Sequence, residues 1–92
     1  MDIIVATGDI KQNYQIIDTI FAIDAHKEGF LQAADPNKAF EGVKEQLKKK
    51  CRALGGDGVI NCQFEYRVAV ANGMVSKKQV LEIFAYGTAI KL

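Results

Sequence analysis

Residues 40–70 read FEGVKEQLKKKCRALGGDGVINCQFEYRVAV. Within this stretch the apolar spacing changes once, and the change decides the fold. Phe40, Val43, Leu47, Cys51 and Leu54 are separated by 3, 4, 4 and 3 positions, one continuous stripe along a helix. From Val59 to Val70 the period becomes two. Ile60, Cys62, Phe64, Tyr66, Val68 and Val70 line one face, and Asn61, Gln63, Glu65 and Arg67 line most of the other, as in a half-buried strand. Gly55-Gly56, between the two patterns, supplies the helix stop. At the helix start, Asp35 suits the cap and Pro36 suits the first helical position. Lys48, Lys49, Lys50 and Arg52 crowd the last turns, where the helix dipole favours cations.

Working outward, Ile3-Ile4-Val5-Ala6, ended by Gly8-Asp9, predicts a short β-branched strand. A second strand is predicted from Tyr14 to about Ala25, with polar residues following to Gly29. It carries large apolar groups on both faces: Ile16 and Ile20 on one, Ile17, Phe21 and Ile23 on the other. Downstream, Asn72-Gly73 is a hairpin signal, and the last strand runs from Val80 to Ile90, again apolar on both sides. Its small face, Ala85, Gly87 and Ala89, lets a helix backbone come close, and Gly42 on the helix serves the same end at about 1 kcal/mol of helix propensity. The order is β-β-α-β-β. The expected fold class is α+β, a two-layer arrangement of an antiparallel sheet and one helix, in a single domain spanning 1–92.

The 92 residues are 49% hydrophobic and 25% charged, the composition of a globular domain rather than a disordered chain. Twelve basic against eleven acidic residues leave a net charge of +1, which excludes binding to nucleic acid or acidic membrane by bulk charge. No apolar run approaches the roughly 18 residues of a membrane span. Met1-Asp2-Ile3-Ile4-Val5 has no basic n-region, so a cytoplasmic location is expected.

Size argues for self-association. A chain this short buries only about 60–65% of its unfolded surface as a monomer. Four strands about 4.8 Å apart make a sheet roughly 19 Å wide, and a 12-residue strand is roughly 40 Å long. A helix about 10–12 Å across and near 27 Å long leaves part of one face and all of the other uncovered. Since the second and last strands are apolar on both sides, a homo-oligomer is expected, with sheet faces or strand edges in contact. The competing reading is a monomer whose strands curl around the helix.

Arg52-Ala53-Leu54-Gly55-Gly56-Asp57-Gly58-Val59-Ile60 resembles the helix-to-strand turn of the YbjQ-like family, which reads Ala-x-x-Leu-Gly-Ala-Asp-Ala-Val there. Tyr86-Gly87-Thr88-Ala89-Ile90 is similar to its closing strand, Phe64-Glu65-Tyr66 stands at its middle strand, and Ile4-Val5-Ala6-Thr7 is compatible with its start. The resemblance covers the last half of the chain well and the first half loosely. Ile20-Phe21-Ala22-Ile23 stands where the family is richer in glycine, and the segment before the helix is shorter. The resemblance implies a dodecin-like fold, pentamer-based rings and a heavy-metal-binding label without an established activity.

Cys51 and Cys62 are the candidate metal ligands, because a soft metal takes thiolates. Ten residues separate them, so they do not form a CxxC pair, and further ligands would have to come across a subunit interface. The competing reading is two buried thiols acting as small hydrophobes, without a disulfide in a reducing compartment. Asp24, His26 and Glu28 share one side of an extended strand and suit a divalent metal. Their Cα atoms are about 6.8 Å apart at i and i+2, long for chelation, and a polar strand end is the alternative. Asp57, in Gly55-Gly56-Asp57-Gly58, lacks the Lys-Ser/Thr of a phosphate loop and follows a helix instead of preceding one, so it reads as a turn residue. Lys44, Lys48, Lys49, Lys50 and Arg52 form a basic run that Glu41 and Glu45 partly neutralise, a solvated helix face. The only serine is Ser76, in the predicted turn, and no nucleophile–base pair stands out. The leading expectation is a homo-oligomeric domain binding a small ligand or soft metal at a subunit interface. The alternatives are a scaffold without ligand, and an enzyme completed between subunits using Asp57, Tyr86 or Cys62.

Overall fold

Along the chain follow β1 (Ile4–Val5), β2 (Gln15–Lys27), α1 (Pro36–Ala53), β3 (Gly58–Asn72) and β4 (Lys77–Lys91), in a computed structural model that describes residues 2–27, 36–72 and 77–92. The expected Asp35 cap, Glu28, Gly29 and the turn residues 73–76, Ser76 among them, lie outside the described residues, as does the side chain of His26. The helix and four strands make the α+β arrangement in the expected order. The sheet runs β1-β3-β4-β2. Its three long strands are antiparallel, but β1 joins the edge parallel to β3, Ile4 beside Gly58 and Val5 beside Val59. The sheet is therefore mixed, not wholly antiparallel. β2 and α1 lie between β1 and β3, a connection long enough for the chain to return parallel.

The helix buries Ala39, Val43, Leu47 and Cys51 against the sheet. Phe40 packs at the margin, its ring centroid 5.9 Å from that of Phe64. Leu54, expected to continue the stripe, is 45% exposed. The helix has ended by then: Gly56 N–H donates to Cys51 C=O at 2.9 Å, Gly55 N–H to Arg52 C=O at 3.0 Å, and Gly55 takes φ 77°. This is a Schellman ending, which needs a left-handed residue where glycine stands.

Ile20, Ala22, Val59, Cys62, Ile83, Ala85 and Ala89 meet the helix from the sheet. The expected single face from Ile60 to Val70 is broken. Between Ile60 and Gln63 the β3–β4 register shifts, with Asn61 and Cys62 together facing Gly87. Asn61 adopts φ 52°, a conformation that asparagine tolerates better than most residues. This β-bulge turns Ile60 away from the helix while Val59 and Cys62 face it. Both bulge N–H groups reach the β1 segment, Asn61 to Gly8 C=O and Cys62 to Ala6 C=O, each at 3.0 Å.

The molecule measures 54 × 19 × 18 Å. Fifteen-residue strands outrun an 18-residue helix, at about 3.3 against about 1.5 Å per residue. The far half of β3 therefore leaves Tyr66, Val68 and Val70 exposed although they follow the helix-side alternation. Among the described residues no helix is long and apolar enough to cross a membrane.

Candidate functional site

Cys51 and Cys62 both lie within the core. Cys51 comes from the last turn of α1, and its Sγ donates to Gly58 C=O at 3.4 Å. Cys62 comes from the bulge, with Sγ 3.9 Å from Val59 C=O. Burial pushes both thiols up. A bond from the Gly58 backbone partly offsets this at Cys51, and one from the Ala6 backbone at Cys62. A metal binds the thiolate, the form this environment disfavours. Among the described residues no group of three or more His, Cys, Asp and Glu is placed to hold a metal ion.

Asp57 stands in the turn as the sequence suggests, but its bonds are long-range. Its carboxylate accepts Leu92 N–H at 2.8 Å and lies 3.3 Å from Lys91 Nζ, while its own N–H donates to Ile90 C=O at 2.8 Å. The Leu92 bond, with help from Lys91, holds the Asp57 carboxyl below the usual range. Asp57 thus ties the end of β4 to the helix-to-strand turn, a link between residues 35 apart that no local motif marks. Tyr86 projects from the outer face of the sheet and Cys62 from the helix side, so the three residues of the catalytic alternative do not converge.

Gly42 was expected to let the sheet approach. Its missing side chain instead makes room for the Asp24 carboxylate, which points from β2 to the helix. The basic run is largely engaged: Lys44 pairs with Glu41 at 3.3 Å, and Lys48 lies near Glu45 and Asp2 at 3.7 and 3.8 Å.

The free edge of β2 has a feature that sequence reasoning missed. Gln46 Nε2 donates to Ile23 C=O at 2.9 Å, and Lys50 Nζ donates to Phe21 C=O while lying 4.8 Å from the centre of the Phe21 ring. One helical turn separates Gln46 from Lys50, which matches the two-residue step between edge-facing carbonyls. Helical spacing next to an edge strand was the available signal. Beside this pair, Thr19, Phe21, Lys50, Ala53 and Leu54 line a shallow groove of about 280 Å³.

The outer face also carries exposed apolar side chains. Ile16, Phe21 and Ile23 of β2 are 70, 69 and 50% exposed, and Phe21 stands in register with the exposed Tyr86 of β4.

Residues 34–92 match the YbjQ family profile, whose description is "Putative heavy-metal-binding". No curated protein matches the chain. Among solved structures it is similar to a protein of unknown function from Pediococcus pentosaceus, a member of the DUF74 family. The two are 28% identical, the alignment covers 98% of this chain and 97% of that one, and the TM-score is 0.78.

Proposed function

Because the chain belongs to the YbjQ family, we propose that it acts as a homo-oligomeric domain that holds a small ligand or heavy metal between subunits. The observation that carries the reading is the exposed row of Ile16, Phe21, Ile23 and Tyr86 on the outer sheet face. A side chain of this size contributes about 1.5–3 kcal/mol when fully buried, so covering the row offsets much of the cost of association. Two cysteines and one histidine fall short of the four nitrogen and sulfur donors of a closed tetrahedral site, so a metal held in that geometry takes further donors from other copies. Pentamer-based rings are the assembly the family resemblance implies.

A second reading, a scaffold without ligand, is favoured by the engagement of both thiols inside the core. Native mass spectrometry of protein purified without chelators separates the two. An assembly with stoichiometric added mass is the expected result. An assembly without it favours the scaffold, and a bare monomer overturns both.

A further inference from the structure

We infer that β2 of one copy lies, outer face down, on the uncovered part of β3 of the next copy, joining them head to tail; the inference rests on the assembly reading above. Each chain carries both halves of this contact. The first half is a shelf on β3. Tyr66 and Val68 stand beside Ile83 and Leu81, and with Val70 they belong to the helix side of the sheet, yet all three are exposed. The shelf begins past Phe64, where Phe40 of α1 packs, and runs about 13 Å at 3.3 Å per residue. The second half is the row of Ile16, Phe21 and Ile23 on the outer face of β2, about 20 Å long. The edge of β2 is ready for burial. Gln46 and Lys50 already donate to the outward carbonyls of Ile23 and Phe21, so a neighbour can cover this edge without stranding those two acceptors. The same bonds obstruct the addition of a strand there.

Contacts within the chain decide what covers each half. Ile60 and Ile90 lie on the outer face, yet they are only 2 and 1% exposed and stand apart from the core beside the helix. β1 and β2 occupy opposite edges of the sheet. Residues 6–14 join them, bonding Asn61 N–H through Gly8 C=O on the way, so this segment crosses the outer face and covers both isoleucines. The crossing stands out from the sheet. In a face-to-face pair that joined the two β2 rows, each crossing would meet the partner's crossing or its long strands. The shelf on β3 is bounded differently. α1 lies chiefly over β2 and β4, so the shelf admits an edge strand but not the middle of a sheet. β2 is an edge strand with a matching apolar row. Pairing shelf with shelf would leave the longer β2 row uncovered, whereas the head-to-tail contact covers both rows at once. The occupant is therefore a second copy. Such a contact is heterologous, and it repeats around a ring when its rotation closes.

The test is cross-linking of the full chain with a short bismaleimide, comparing Phe21→Cys, Val68→Cys and the double variant. The wild type is the control, since Cys51 and Cys62 are buried. Packed sheets lie about 10 Å apart, a gap such a linker bridges. The expected result is a ladder of covalent multimers from the double variant and none from either single variant. Positions 21 and 68 lie on opposite faces of one sheet, so a ladder reports contacts between chains. Native mass spectrometry of Phe21→Asp and Val68→Lys runs beside it. Each alone is expected to release monomers, and the two together to restore the wild-type subunit number. Covalent dimers from either single variant overturn the head-to-tail contact. So does a Val68→Lys assembly that keeps its subunit number, and both results leave the assembly reading standing. A wild-type monomer overturns the assembly reading itself.

Discussion

The sulfur of Cys62 occupies the space that a side chain on Gly87 would need. A Cβ at position 87 would lie 2.6 Å from Cys62 Sγ, 2.9 Å from Val59 Cγ1 and 3.1 Å from Ile60 C=O. The bulge in β3 pushes two residues toward β4 where one would ordinarily stand, and glycine accommodates them. Gly87 was expected to admit the helix; it admits the neighbouring strand.

Replacing Gly87 with Ala is therefore expected to destabilise the fold by about 1–3 kcal/mol, the usual effect of overpacking. Adding Cys62→Ala should restore part of the loss, since the sulfur goes while the Ile60 carbonyl stays. Denaturant midpoints of the two single variants and the double variant measure the coupling.

Both thiols are expected to resist a water-soluble disulfide reagent in the native state and to react fully in denaturant. Their pKa values are raised above the ordinary 9.0 by burial. Below that value folded and unfolded thiols are alike protonated. As pH rises through it, only the unfolded thiols ionise, so stability falls until the folded values are reached. Cys51→Ala and Cys62→Ala should flatten this alkaline decline in urea titrations run at several pH values.

Asp57 gives the opposite sign at the acid end. Its carboxyl is held below the ordinary 3.8, so its contribution is complete above that value and is lost as pH falls through the folded one. Asp57→Asn should show a flatter acid limb by thermal melts across pH, and faster amide exchange at Leu92.

Placing charge on the outer face, as in Phe21→Asp with Ile23→Asp, is expected to lower the subunit number while the far-ultraviolet spectrum stays native. Leu47→Ala should do the reverse, costing about 2–5 kcal/mol of fold stability from a fully buried position. Light scattering after size exclusion distinguishes the two effects. Unchanged assembly in the double variant would remove the outer face from the interface.

Much of this chain is legible in its sequence, because local periodicity reports which side of an element is buried. The stripe of Phe40, Val43, Leu47 and Cys51 and the stop at Gly55-Gly56 needed no tertiary information. The element order followed, but not the uncovered residues of β2: the register shift between Ile16 and Asp18 sets Ile16 with Phe21 and Ile23 and turns Ile17 to the core. The sequence also offered Cys51 and Cys62 as thiols on buried faces. The tertiary structure decided the rest. Alternation assumes an unbroken strand, so the bulge at Asn61 and Cys62, supported from outside by Ala6 and Gly8, was invisible to it. Strand partners are not encoded in spacing either, which is why β1 joined parallel and why Asp57 found Leu92. Helix and strand differ in rise per residue, and that mismatch left Tyr66, Val68 and Val70 beyond the reach of α1. Periodicity places a residue on a face; only the packed chain shows how far the covering element extends.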